Sequence, residues 1–165
     1  MIMAVDIKIK GIRMEDFTNY KKPSMYIAFP SCTFKCEREC GQKMCQNSSL
    51  VQAPTLVIEV HSIVNKYINN PITSAIVVGG LEPFDSEEDL RMLIVYLRVA
   101  TQDDIIIYTG YTKEEIQERE IYKYLLNAKN IIVKFGRFIP NQQPHYDNVL
   151  GIKLASDNQW AERIS

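Results

Sequence analysis

Four cysteines lie close together and form the clearest chemical signal in the chain. Cys32, Cys36, Cys40 and Cys45 fall within 14 residues, and the 165-residue chain has no other cysteine. Because thiols this close in sequence make a local ligand cluster, a disulfide framework joining distant loops is excluded. Soft thiolate ligands select an iron–sulfur cluster or zinc. Three thiolates would leave one iron of a four-iron cluster open for chemistry, whereas four would close the site.

Short runs rich in Ile and Val alternate with amphipathic segments, and these elements must position the cysteines. We predict strands over residues 5–13, 25–29, 75–78, 105–108 and 131–134. We predict helices over residues 56–68 with Thr55 as N-cap, from Ser86 through Leu97, and from a capping box at 112–115 towards Leu126. Strands followed by helices in this way favour parallel βαβ units covered on both faces.

The predicted strands bring the candidate functional residues to one edge of the sheet. Parallel α/β sheets bind ligands beyond the carboxyl ends of their strands. Those ends carry Cys32, the pair Gly79-Gly80, the segment 108–110 and the segment 134–136. The sequence therefore predicts a single site at this edge.

The overall composition argues for one globular domain over residues 1–165 and excludes several partner classes. With 19 basic and 20 acidic residues the net charge is −1, so neither nucleic acid nor an anionic membrane is expected as a partner. No apolar run approaches the roughly 20 residues that span a bilayer. The first residues lack the basic and apolar regions of a signal peptide, so we expect a cytoplasmic, reducing location.

The cysteine spacing resembles a known signature. Cys32-x3-Cys36 is similar to the opening of the C-x3-C-x2-C motif of the radical S-adenosylmethionine (SAM) superfamily. Cys45-Gln-Asn-Ser-Ser resembles the Cys-aromatic-Asn-x-Ser/Thr stretch after the third cysteine of anaerobic ribonucleotide reductase activating proteins. On this resemblance Cys45 is the third ligand. Residues 37–44 are then an insertion, and Cys40 within it is interpreted as a bystander.

Further segments resemble the same activating proteins over residues 11–160. Gly79-Gly-Leu-Glu-Pro83 is similar to their Gly-Gly-x-x-Pro turn, and Tyr108-Thr-Gly-Tyr and Asp157-Asn-Gln match two other stretches. Lys134-Phe-Gly-Arg-Phe resembles their Asp-Gly-x-Phe region, but Phe135 stands where the acid is usual, so no acidic contact is carried over. Arg137 is open to two interpretations: it pairs with a carboxylate of SAM or of the protein partner, or it is a solvated surface residue.

The resemblance implies a fold and a set of ligands. The fold would be a short, open parallel (βα) partial barrel of the radical SAM type, with a cluster loop at 31–48. Cys32, Cys36 and Cys45 would hold a [4Fe–4S] cluster. The residues implied in SAM binding are Gly79, Gly80, Glu82, Pro83, Tyr108 and Asn158. Glycines allow close approach and positive φ, and the Glu82 carboxylate would accept from the methionine ammonium group.

The resemblance also implies an activity. The chain would reductively cleave SAM and generate a glycyl radical on the large subunit of anaerobic ribonucleotide reductase, with a flavodoxin- or ferredoxin-like protein as electron donor. One alternative is a radical SAM enzyme that acts on another substrate, such as a peptide or a small molecule. A second alternative is a closed module in which the cysteines bind a four-cysteine iron–sulfur cluster or zinc.

Overall fold

Ten strands and five α-helices form the part of the chain that the computed structural model describes, residues 3–32 and 48–165. The strands are β1 (Asp6–Ile9), β2 (Gly11–Asp16), β3 (Ser24–Phe29), β4 (Leu56–Glu59), β5 (Ala75–Gly80), β6 (Asp104–Tyr108), β7 (Ile131–Phe135), β8 (His145–Asp147), β9 (Ile152–Leu154) and β10 (Trp160–Arg163). The helices are α1 (Ser48–Gln52), α2 (Val60–Ile68), α3 (Glu87–Ala100), α4 (Lys113–Ile116) and α5 (Glu120–Leu125), with a 3₁₀ turn at Pro83–Asp85. Within these ranges no helix has the length and apolar character that a membrane crossing needs.

Four parallel strands form the centre of a six-stranded mixed sheet. The strand order is β10-β7-β6-β5-β3-β2. Strands β3, β5, β6 and β7 are parallel, while β2 and β10 run antiparallel at the two edges. The predicted α/β class and the parallel order of the four Ile- and Val-rich strands are therefore confirmed. The partial barrel and the single domain over residues 1–165 stay predictions.

Helices cover one face of the sheet. Alternate strand residues on this face, among them Ile76, Val78, Ile105 and Ile107, are fully buried. Helix α3 packs against them with the apolar set that its sequence predicts: Leu90, Leu93, Ile94 and Leu97. This aliphatic layer packs against one face of the sheet along the four parallel strands.

A smaller apolar cluster covers the opposite face. It contains Val77, Ile106 and Ile132 of the sheet, together with Tyr20 and two leucines, Leu150 and Leu154, from the region of the β8–β9 hairpin. Backbone bonding joins the two covering segments, because the amide of Lys21 donates to the carbonyl of Leu150 at 2.8 Å. Both faces are thus covered as predicted, one by helices and the other by a loop and a hairpin.

Three elements differ from the sequence prediction. Residues 56–59 form strand β4 and not the start of a helix, because their β-branched run pairs antiparallel with β1, and the N-cap of α2 is Glu59 instead of Thr55. The helix predicted from 112 to 126 is interrupted at 117–119, where Arg119 donates to the carbonyl of Phe84 at 3.1 Å. The strand predicted over 5–13 divides at Lys10 into β1 and β2, which join different sheets.

Candidate functional site

The carboxyl ends of the four parallel strands meet at one edge, as the sequence predicts. Cys32 follows β3 by three residues and is half-buried. Gly79 and Gly80 end β5, and the segments 109–110 and 136–137 follow β6 and β7. The other candidate ligands, Cys36 and Cys45, lie outside the described residues, as do Cys40 and most of the predicted cluster loop at 31–48.

Backbone hydrogen bonds tie the approach to Cys32 to the glycine turn. The amide of Leu81 donates to the carbonyl of Phe29 at 3.2 Å, and the amide of Glu82 donates to the carbonyl of Ser31 at 2.7 Å. Ser31 immediately precedes Cys32. The position of the first cysteine is therefore coupled to the turn that carries Glu82.

Both glycines of the turn allow close contact with β3. Gly80 has a φ of +90°, and a Cβ there would lie 2.6 Å from the amide nitrogen of Phe29. A Cβ at Gly79 would lie 2.6 Å from the Tyr26 hydroxyl. Pro83 then begins the 3₁₀ turn, where its fixed φ suits the first position. Atoms of β3 therefore occupy the positions that a Cβ on either glycine would need.

Replacing Gly80 with alanine is expected to destabilise the fold strongly. The left-handed backbone costs a non-glycine residue roughly 1–2 kcal/mol, and the new methyl group would overlap the backbone of β3. We expect urea unfolding of Gly80→Ala to show a loss of about 3 kcal/mol.

Gly11→Ala is the matched control for this change. A Cβ at Gly11 meets no atom within 4 Å, so its unfolding free energy should stay within about 0.5 kcal/mol of wild type. Equal effects of the two substitutions would contradict the assigned role of Gly80.

Glu82 is a buried carboxylate that joins the ends of β5 and β6. It is 5% exposed. Its Oε1 accepts from the Thr109 hydroxyl at 2.8 Å and from the amide of Phe84 at 3.1 Å. Its Oε2 accepts from the amide of Gly110 at 2.8 Å. A carboxylate offers about four acceptor directions, so among residues 3–32 and 48–165 these three bonds leave one direction at Oε2 without a donor.

Burial sets the protonation of Glu82. Desolvation raises its pKa to about 7, against the opposing effect of the three hydrogen bonds and with a small further rise from the charge of Asp85. The carboxyl group therefore changes charge near neutral pH. A bound cation would favour the ionised form.

A buried lysine lies at the end of β7 on the same edge. Lys134 is 6% exposed, donates from Nζ to the carbonyl of Gly136 at 3.0 Å and lies 5.6 Å from the ring centroid of Tyr108. Burial lowers its pKa to about 8, while the charge of Glu82 acts in the opposite direction. Phe135, by contrast, belongs to the core on the helical side. Of the two β7 side chains on the opposite face, Ile132 and Lys134, the one nearer the carboxyl edge is therefore basic.

Lys134 should give stability a distinctive alkaline dependence. Its pKa is lower in the folded protein than the ordinary value of 10.5, so between pH 8 and 10.5 the unfolded chain binds more protons and the unfolding free energy rises with pH. At about 1.4 kcal/mol per pKa unit, this rise amounts to about 3 kcal/mol. We expect Lys134→Met to lose it in urea unfolding across this range, while Lys153→Met, at an exposed position on β9, retains it. Parallel curves for wild type and Lys134→Met would contradict the assignment.

Tyr108 and Asn158 also lie at the edge and bind other parts of the chain. The half-buried Tyr108 donates its hydroxyl to the carbonyl of Asn19 at 2.5 Å. The exposed Asn158 donates from Nδ2 to the carbonyl of Arg137 at 2.9 Å. Gln159 donates from Nε2 to the carbonyl of Gly136 at 3.3 Å. The C-terminal amides thus hold the backbone that follows β7.

Arg137 is not a solvated surface residue. Only 11% of its side chain is exposed, and it pairs with Glu115 at 2.6 Å. Its Cγ would lie 3.6 Å from a Cβ placed on Gly110, which is also the distance from that Cβ to Oε2 of Glu82. The guanidinium side chain therefore belongs to the rim of the same site.

The sequence analysis placed the segments with Lys134 and Thr109 at this edge but gave neither residue a role, and it did not single out Tyr26. Lys134 interrupts an otherwise apolar strand, and this position could have marked it as functional. Tyr26 is the one aromatic residue in β3 at a position facing away from the helices. Thr109 gave no signal beyond its place in the Tyr-Thr-Gly segment, because its bond to Glu82 depends on the relative position of two strands.

The residues at this edge suit an iron–sulfur cluster with an adjacent polar ligand. Hydrogen bonds connect the segment before the half-buried Cys32 thiol, the glycine turn and the buried Glu82 carboxylate. A family model described as a 4Fe-4S single cluster domain matches residues 21–159, a span that includes all four cysteines. A search of curated proteins finds no match to the chain.

Proposed function

The chain belongs to the 4Fe-4S single cluster domain family, and from this membership we propose that it is a radical SAM activase. Cys32, Cys36 and Cys45 hold a [4Fe–4S] cluster in this proposal, and Cys40 does not. Bound by these residues and supplied with one electron, such a cluster would provide the redox chemistry that cleaves the sulfonium carbon–sulfur bond of SAM, giving methionine and a 5′-deoxyadenosyl radical. The fold would be the open partial barrel that the radical SAM resemblance implies.

The observation that carries the proposal is the coupling of Glu82 to the cysteine loop. Its amide donates to the carbonyl of Ser31, while its carboxylate has one acceptor direction at Oε2 that no donor in the described part of the chain occupies. A ligand ammonium group bound there would lie at the same edge as Cys32. Charge-assisted bonds of this kind are about twice as strong as neutral ones. This arrangement supports binding of an amino acid group next to a cluster.

The chain's own residues bind and orient the ligand. Gly79 and Gly80 shape the turn, Pro83 fixes its exit, and Glu82 accepts from the ammonium group. Lys134 contributes positive charge across the edge from Glu82. Tyr108 and Asn158 hold the neighbouring backbone segments, at Asn19 and Arg137. The protein thereby supplies binding, orientation and exclusion of water.

The proposed protein substrate is the large subunit of anaerobic ribonucleotide reductase. Hydrogen-atom transfer from a backbone glycine of that subunit to the deoxyadenosyl radical would leave a glycyl radical and 5′-deoxyadenosine. A flavodoxin- or ferredoxin-like protein would supply the electron. The resemblance of the segments at 45–47, 79–83, 108–111 and 157–159 to activating proteins supports this assignment.

Anaerobic reconstitution with iron and sulfide, followed by EPR of the reduced protein, tests the proposal. We expect a [4Fe–4S]⁺ signal that changes when SAM is added, with 5′-deoxyadenosine formed. A signal that is indifferent to SAM, or zinc in place of iron, would favour a closed site instead. SAM cleavage without a glycyl radical on the reductase subunit would favour a radical SAM enzyme with another substrate.

A further inference from the structure

The glycine turn is held by a side chain as well as by backbone pairing. The amide of Gly80 donates to the Tyr26 hydroxyl at 2.6 Å. Tyr26 lies in β3, and its hydroxyl occupies the space that a Cβ of Gly79 would need. Burial raises the pKa of Tyr26, so the phenol is neutral and accepts this bond across the physiological range. The phenol therefore lies directly against the 79–80 peptide.

This hydrogen bond fixes the orientation of one peptide plane. In a trans peptide the N–H and the preceding C=O point in opposite directions. When Tyr26 holds the amide of Gly80, it also sets the direction of the Gly79 carbonyl. Because Gly80 has a φ of +90° and no Cβ, backbone sterics alone restrain this peptide less than they would at another residue. The tyrosine adds a side-chain restraint to the pairing of this segment with β3.

We propose that Tyr26 is a positioning residue for ligand binding: its hydroxyl orients the Gly79–Gly80 peptide, and through that turn the Glu82 carboxylate, for the amino acid group of SAM. The inference rests on the proposed function, since it names the element that shapes the same site. Only Leu81 separates Gly80 from Glu82, whose amide donates to the carbonyl of Ser31 at 2.7 Å. Rotation of the 79–80 peptide would therefore move the backbone from which Glu82 projects.

A double-mutant cycle on SAM affinity tests this role. Tyr26→Phe removes only the hydroxyl, and Gly79→Ala would place a methyl group 2.6 Å from it and displace the phenol. We expect each substitution to weaken SAM binding to the cluster-loaded protein about tenfold, measured by equilibrium dialysis, at unchanged iron content. In the double variant the new methyl meets ring carbons at 3.2 Å instead of the hydroxyl. The SAM affinity of the double variant should therefore be about tenfold below that of wild type. Two independent effects would multiply to about a hundredfold loss.

Tyr20→Phe is the matched control, since a purely structural loss should not change SAM affinity. The Tyr20 hydroxyl donates to Asp104 at 2.8 Å, at the opposite end of the sheet. We expect this variant to lose stability and to keep wild-type SAM affinity. In the cluster-free protein, amide hydrogen exchange at Gly80 should accelerate in Tyr26→Phe by more than its loss of global stability accounts for, whereas in Tyr20→Phe the two changes should agree.

The possible failures are distinguishable. If the loaded wild-type protein does not bind SAM, the proposed function is wrong, and this inference fails with it. If wild type binds SAM and Tyr26→Phe binds it within twofold as well, the inference alone is overturned. Multiplying effects of the two substitutions would also overturn it, because they would then act independently. Should Tyr26→Phe fail to load iron, Gly79→Ala by itself must still show the tenfold loss.

Discussion

Replacing Cys32 with serine is expected to abolish SAM cleavage while leaving the protein folded. The substitution removes one of three proposed thiolate ligands, and the serine hydroxyl is a hard, poorly acidic replacement for a soft thiolate. Because the cluster carries the difficult chemistry, formation of 5′-deoxyadenosine should fall below about one-thousandth of the wild-type rate. Iron content after anaerobic reconstitution and the EPR amplitude should fall in parallel.

Cys40→Ser is the matched control for this prediction. It is the same chemical change at a cysteine that lies between the proposed second and third ligands. We expect wild-type iron content and wild-type SAM cleavage. If both serine variants lose the cluster, all four cysteines are ligands and the open iron that the proposed chemistry needs is absent. Far-UV circular dichroism should be unchanged in each case, because the buried apolar core of strands and helices within residues 3–32 and 48–165 contains neither cysteine.

Replacing Glu82 with glutamine should weaken SAM binding by about a hundredfold. The variant loses the negative charge proposed to meet the ammonium group, a charge-assisted bond worth roughly 3 kcal/mol when buried. In the variant an amide NH₂ group replaces one carboxylate oxygen. This NH₂ group would face a hydrogen-bond donor, either the Thr109 hydroxyl or the amide of Gly110. Asp104→Asn changes another buried carboxylate, at the far end of β6, and should leave SAM affinity unchanged.

The same prediction has a pH dependence with a definite sign. Burial raises the pKa of Glu82 to about 7, so the carboxylate is ionised above that pH and protonated below it. SAM affinity of the wild type should therefore fall as the pH drops below 7, by up to about tenfold per pH unit. Titration of SAM by equilibrium dialysis between pH 5.5 and 8 measures this fall. A Glu82→Gln profile with the same slope would show that another group titrates.

Sequence periodicity was sufficient for the parallel centre of the fold. The runs at 25–29, 75–78, 105–108 and 131–134 are, apart from Lys134, apolar or aromatic on both faces, and such runs become central parallel strands when helices separate them. The apolar stripe of α3 was equally clear, because Leu90, Leu93, Ile94 and Leu97 recur at helical spacing. These elements also located the edge at which the candidate residues meet.

Other features depend on contacts between distant segments and could not be read locally. Residues 56–59 became a strand because β1 was available to pair with them, with Ile7 opposite Ile58. The bonds from Glu82 to Thr109 and Gly110 require the exact offset of two neighbouring strand ends. The short strands β8, β9 and β10 are three or four residues long, below the length at which periodicity is informative.

The aliphatic layer on the helical face of the sheet should keep the protein folded when it is exposed to oxygen. Its members, Ile76, Val78, Leu90, Ile105 and Ile107, are all fully buried and lie in strands and a helix outside the cysteine loop. We therefore expect oxidative damage to empty the site and spare the scaffold, so that returning iron, sulfide and reductant restores the protein without refolding or new synthesis.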